Sequence, residues 1–191
     1  MPIVPQSAPP TFLNRQPASA SALCAPVLAT LQELAGVVES LTPEQFIQPC
    51  GESFANGSIG SHVRHCLDHV RALTEASDGC VDYDRRIRGT EIERDPAAAL
   101  RELRRLQANL GSLNHQSSTE PVRVRVILTR DGEAVDVRST LGRELAFVLS
   151  HTIHHNALVR GMAGVLGAPL PPTFGYAPAT LSHRDNELCA R

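Results

Sequence analysis

Hydrophobic residues recur at helical spacing in several long stretches of the chain. The first stretch shows the pattern well, because Leu23, Val27, Leu31, Leu34 and Val38 repeat every three or four residues and so share one helix face. Asp95-Pro96 and Ser139-Thr140 are typical helix-start residues in front of two later stretches. The predicted long helices span residues 21–40, 58–77, 95–114 and 140–166.

A different pattern, strict alternation of apolar and polar residues, occupies residues 122–128 and 134–138. Alternation is typical of a strand with one buried face, and the Asp131-Gly132 pair between the two segments favours a tight turn. The chain is therefore predicted to be an all-α four-helix bundle with one inserted β-hairpin.

The two ends of the chain are rich in proline and lack helical periodicity. Residues 1–20 are predicted to form an extended arm, and residues 168–191 a Pro-rich tail without a helix. The charged segment 81–94 has no clear period and is predicted to be an irregular loop. Residues 21–167 then form a single domain of ordinary size.

Composition restricts the class of protein and its partners. Hydrophobic residues make up 42% of the chain and aromatic residues only 4%, so the core is predicted to be aliphatic. A net charge of -2 gives no basic surface for nucleic acid. No uninterrupted apolar run or leader pattern indicates a membrane span or secretion. The five cysteines form no CxxC pair, which is typical of reduced thiols in a cytoplasmic protein.

The last predicted helix carries three histidines, and their phase differs. Because each residue turns a helix by about 100°, His155 falls within the apolar stripe, His151 about 40° to one side and His154 about 100° away. His151 and His155 are one turn apart and could bind one metal ion together. The pair His151 and His154 is the competing interpretation. The apolar stripe consists of Leu141, Leu145, Val148, Thr152, Val159, Met162 and Leu166.

The second predicted helix carries another three histidines, His62, His65 and His69. Its apolar stripe favours His62 and His69 as inward-facing and places His65 at the edge. Helical period alone therefore does not decide whether His65 or His69 supplies a third metal ligand.

The segments SIGSHVRHCLDH (58–69) and HTIHHNAL (151–158) together resemble the DinB-like (damage-inducible) superfamily, which is related to bacterial thiol S-transferases. The resemblance covers about residues 21–167. It implies a four-helix bundle that binds Ni, Zn or Fe through three histidines. Matched position by position, the implied metal ligands are His65, His151 and His155.

Three histidine ligands leave coordination positions open, which is typical of a catalytic metal site. We therefore expect a metal-dependent enzyme that acts on a small molecule such as a thiol, by thiol transfer or hydrolysis. A non-catalytic metal-binding or stress-response protein is the alternative, so enzymatic activity stays undecided, as does a homodimer. His69, Tyr83 and Arg85 are candidate contacts to the ligands or the substrate, although the loop around Tyr83 could equally be a solvated surface.

Overall fold

The structure of the protein, a computed structural model, describes residues 16–76 and 78–189, with side chains up to residue 186. Residues 1–15 of the predicted N-terminal arm lie outside the described residues. Residues 16–19 have no regular secondary structure, and the first helix begins at Ala20.

Four long helices dominate the described part of the chain, so the prediction of a mainly helical fold is confirmed. They are α1 (Ala20–Ser40), α3 (Ile59–Thr74), α4 (Pro96–Ser112) and α5 (Leu141–Val165), and a short α2 (Pro43–Ile47) follows α1. Helices α1 and α3 each pack against both α4 and α5. Their shared interior is largely aliphatic, as the composition predicted.

Side-chain caps explain where these helices begin. Asp95 accepts hydrogen bonds from the amides of Ala97 and Ala98, which otherwise lack partners in the first turn of α4. Thr140 accepts from the amide of Arg143 in the same way at the start of α5. Such caps are readable in the sequence, so the predicted starts agree with the structure to within about one residue.

The sheet is larger than predicted. The predicted hairpin is present as β2 (Pro121–Ile127) and β3 (Ala134–Thr140), which pair antiparallel. A third strand, β1 (Cys80–Asp82), pairs parallel with β2, although the sequence pattern indicated an irregular loop there. Three residues are too few to show alternation. The strand forms because β2 offers a free edge and Val81 is fully buried.

The C-terminal tail contains a helix, α6 (Pro178–Cys189), and the prediction of a helix-free tail was wrong. The prolines and glycines on which that prediction rested lie between residues 167 and 178. Pro178 occupies the first helical position, where its missing amide hydrogen is no loss. The residues that follow contain neither proline nor glycine, so nothing interrupts the helix.

Helix α1 is also, by length and composition alone, apolar enough to cross a membrane, with a mean hydropathy of 1.5. The core helix of a globular domain passes the same test. Here α1 packs against α4 and α5 and contains a proline, Pro26. Its buried residues are Ala20, Cys24, Val27, Leu31, Leu34, Ala35, Val37 and Val38.

Candidate metal centre

Histidines from two helices meet where α3 packs against α5. His65 comes from α3, whereas His151 and His155 lie one turn apart on α5, and one ring nitrogen from each lies within 4.8 Å of the other two. The Nε2 atoms of His65 and His151 are 3.1 Å apart. Two nitrogens on one tetrahedral zinc ion would be about 3.3 Å apart, given Zn–N bonds of about 2.0–2.1 Å. The His65–His151 distance is therefore close to that expected for two ligands of one ion, and the nitrogen of His155 lies near enough to be a third.

The packing of α5 fixes the direction of its histidines. Leu145, Val148 and Val159 are fully buried, which sets the rotation of the helix about its axis. That rotation leaves His155 9% exposed, His151 half-buried and His154 exposed. The competing pair His151 and His154 is not the one that the structure brings together with His65.

The three imidazoles are held in the neutral form. The pKa of His65 is lowered to about 2, mainly by burial and in smaller part by the neighbouring His69, His155 and His151. Burial is also the main cause that brings the pKa of His155 to about 3 and that of His151 to about 4. Neutral imidazole is the form that binds metal ions, so the chemistry of this donor set fits a divalent cation.

Two further histidines contact the three. The ring of His69 stacks on that of His151 with centroids 3.9 Å apart, and its Nδ1 lies 3.0 Å from the backbone oxygen of His65. His62, which was not among the predicted site residues, places its Nδ1 2.8 Å from the Nδ1 of His155. That contact uses Nδ1 and leaves the Nε2 atom of His155 available to bind a metal ion.

The loop after β1 brings Tyr83 and Arg86 to the histidines. Tyr83, a predicted candidate contact, stacks on His69 with ring centroids 5.1 Å apart. Arg85, the other candidate in this loop, is exposed and does not reach the cluster. Its amide donates to the Asp82 carboxylate in a tight turn, and the next residue, Arg86, points inward with its guanidinium 3.0 Å from Nδ1 of His65.

A fully buried carboxylate, Glu144, stands behind Tyr83 and was not identified from the sequence. It accepts hydrogen bonds from the hydroxyls of Tyr83 and Ser139 and from Arg143. Glu144 lies three residues after Leu141, within the apolar stripe of α5. A buried acid needs such partners, so its position in the stripe was the signal that could have found it.

A cavity of about 300 Å³ lies between the hairpin and the start of α5. Tyr83 and Phe147 form one wall, and Val124 and Val137 from the sheet form part of another. The ring of Phe147 is in turn 5.7 Å from that of His151, centroid to centroid. The hairpin thus encloses apolar space one aromatic layer away from the candidate ligands.

Comparison with known proteins supports the resemblance seen in the histidine segments. FK506-binding protein 5 from Rhizopus delemar is 31% identical over 104 residues, which cover 54% of this chain and 27% of that protein. The chain therefore spans about a quarter of the length of this relative. No solved structure matches the chain significantly. The sequence profile of the DinB superfamily matches residues 27–159, well over half of the chain, and the chain therefore belongs to the DinB superfamily.

Proposed function

We propose that the protein binds one divalent metal ion through His65, His151 and His155, within a four-helix bundle of DinB type. The observation that carries this proposal is the convergence of three imidazole nitrogens within 4.8 Å of one another. Their lowered pKa values support it, because the ligands need not lose protons at pH 7 before binding. Nickel, zinc and iron are the proposed ions, since imidazole suits all three.

The surrounding residues orient the proposed ligands. With an ion on Nε2 of His155, the proton of that ring would be on Nδ1 and could be donated to Nδ1 of His62, 2.8 Å away, which would orient the ring. His69 fills the space behind His151 and is itself covered by Tyr83. The buried Glu144 holds the Tyr83 hydroxyl in place through a 2.8 Å hydrogen bond. These contacts make a rigid backing of the kind that metal ligands commonly have.

The proposed activity is that of a metal-dependent enzyme acting on a small molecule, with thiol transfer as the favoured reaction. When bound, the ion would act as a Lewis acid and stabilise a thiolate or hydroxide at neutral pH. Three histidine ligands leave room for such a group, and the cavity under the hairpin offers apolar space on the far side of Phe147. Thiol transfer is favoured because the DinB superfamily, to which the chain belongs, is related to bacterial thiol S-transferases.

One observation favours the non-catalytic alternative over hydrolysis. Hydrolysis commonly uses a general base beside the metal. One carboxylate that could be considered for this role is Glu144, behind Tyr83. That group is fully buried and already accepts three hydrogen bonds, so it is poorly suited to accept a proton from water. A metal-binding or stress-response role without hydrolysis is therefore the second proposal. The cytoplasmic location and the lack of nucleic-acid and membrane partners stay predictions.

Elemental analysis of protein purified without a histidine tag tests metal binding directly. We expect about one divalent ion per chain, either after purification or after adding nickel or zinc at pH 7.5 and removing the excess. The matched control is the double variant His151→Ala/His155→Ala, which should retain none. Absence of uptake by the parent protein would contradict the proposal.

A further inference from the structure

Arg86 places a permanent positive charge against the candidate metal ligands. One guanidinium nitrogen lies 3.0 Å from Nδ1 of His65, and another lies 3.7 Å from a carboxylate oxygen of Asp84. The side chain is 29% exposed, so it lies at the edge of the cluster and remains accessible to a small molecule. Asp84 also accepts a hydrogen bond from the amide of Ile127, which fixes it to the sheet.

The contact between Arg86 and His65 is incompatible with metal binding by His65 through Nε2. A neutral imidazole carries one proton, and when Nε2 binds an ion that proton must be on Nδ1. Nδ1 then donates and can no longer accept a hydrogen bond from Arg86. Because the Nε2 atom of His65 faces that of His151 at 3.1 Å, Nε2 is the nitrogen placed for the ion. Metal binding would therefore break the hydrogen bond from Arg86 to Nδ1 of His65 and leave that N–H group of Arg86 free to bind another acceptor.

Charge balance at the site then calls for an anion. The three proposed ligands are neutral, so a divalent ion would keep its full charge and Arg86 would add another. The buried carboxylates on α3 and α5, Asp68 and Glu144, are both already paired with arginines. Asp84 offsets only part of the excess, since its distance from Arg86 is long for an ion pair. An anionic ligand would be attracted to both the ion and the guanidinium.

We propose that Arg86 is a specificity-determining residue that binds the carboxylate of a small anionic substrate at the metal centre. The proposal rests on the proposed metal site and adds the substrate class to it. The planar guanidinium can donate two parallel hydrogen bonds to a carboxylate, which a lysine or a neutral side chain cannot do. The substrate is then a carboxylic acid that carries a second group, such as a thiol, for the ion.

Two thiols that differ only in charge test the proposal on cobalt-loaded protein. The probes are 3-mercaptopropionate and its methyl ester, titrated at pH 7.5 while the visible cobalt absorption is followed. The parent protein should bind the carboxylate form about tenfold or more tightly, because a charge-assisted hydrogen bond contributes about 1.5–3 kcal/mol. Arg86→Gln should lose this preference. Arg85→Gln, the matched control on the neighbouring exposed arginine, should keep it.

A second measurement separates this role from a merely structural one. Removing the positive charge and the competing hydrogen bond should leave the cobalt affinity of Arg86→Gln equal to or higher than that of the parent, whereas a structural role for Arg86 predicts a loss. Equal binding of the two thiols by the parent, or an unchanged preference in Arg86→Gln, would overturn the proposal with the metal site intact. Failure of the parent protein to take up cobalt would instead overturn the proposed function itself.

Discussion

His154 is next to a proposed ligand in the sequence but faces a different environment. His151 and His155 are directed towards His65, whereas His154 is exposed and its ring meets that of His155 edge-on. Mutation of a residue that only supports a metal ligand typically weakens metal binding by roughly 10–100-fold. We expect His151→Ala and His155→Ala each to weaken zinc binding by more than that. His154→Ala should bind as the parent does.

Competition with a zinc-sensitive dye measures these affinities, and helical circular dichroism should match the parent in every variant compared. Retention of tight binding in His155→Ala together with its loss in His154→Ala would reverse the ligand assignment.

The buried imidazoles also make the metal-free protein sensitive to acid. The pKa of His65 is lowered to about 2, that of His155 to about 3 and that of His151 to about 4, mainly by burial. In the unfolded chain they accept protons near pH 6.5. Between these values the unfolded state binds more protons, so the free energy of unfolding decreases as the pH falls below about 6.5.

Urea unfolding of the metal-free protein at pH 7.5 and 5.5 tests this expectation. The free energy of unfolding should be lower at pH 5.5, by up to about 1.4 kcal/mol per pH unit for each affected histidine, and the urea midpoint should fall with it. His151→Gln, which removes one titrating group, should show a smaller difference between the two pH values. Equal midpoints in the parent protein would show that these imidazoles are not held neutral.

Some of these residues were predictable from the sequence, and others were not. The phase of α5 follows from its apolar stripe, which is why the placement of His151, His155 and His154 could be derived from helical geometry alone. The sequence offers two adjacent arginines, Arg85 and Arg86, and does not show which of them points inward, because the turn at Asp82 decides this. The partner of His62 was equally hidden, since it lies 93 residues away on another helix.

Helix α3 approaches its neighbours closely at Gly60. A methyl group added there would overlap the backbone oxygen of Glu93 and lie 2.7 Å from a ring carbon of Phe46. Backbone cannot yield as a flexible side chain does, so we expect Gly60→Ala to lower the free energy of unfolding by about 1–3 kcal/mol. Chemical denaturation measures the change.

Gly36 in the middle of α1 is the matched control for this substitution. It is exposed, and an added methyl group would meet nothing within 4 Å. Gly36→Ala should therefore raise the free energy of unfolding by about 0.5–1 kcal/mol, because alanine favours the helix. A stabilising effect at Gly60 would mean that α3 is not packed against the turn that contains Glu93.

Elements were predictable where they carry their own signals. The long helices have apolar stripes of several turns and side-chain caps such as Asp95, and the hairpin has alternation on both strands. Strand β1 lacks such signals, because it exists only through pairing with β2, more than forty residues later in the chain. Helix α6 was not predicted for another reason. The prolines up to residue 178 led to the prediction that the whole tail lacks a helix, although the residues after Pro178 can form one.

In the whole molecule, the proposed site connects helices that are far apart in the sequence. His65 lies on α3 and the other two histidines on α5, and these helices are separated by α4 and the sheet. The family resemblance predicted this arrangement as a whole, and membership of the DinB superfamily is confirmed. Arg86, from the loop after β1, follows from neither the family pattern nor the helical period. It depends on how the sheet holds that loop against α3.

A metal ion that links α3 and α5 should stabilise the whole molecule, because it binds the folded state and finds no assembled site in the unfolded one. At a free zinc concentration one hundred times the dissociation constant, the expected gain is about 2.7 kcal/mol. For a chain of 191 residues this corresponds to a rise in Tm of about 5–10 °C. Thermal unfolding followed by circular dichroism, with zinc and with a chelator, measures the shift. His151→Ala/His155→Ala should show almost none, and an equal rise in that variant would place the stabilising ion elsewhere on the protein.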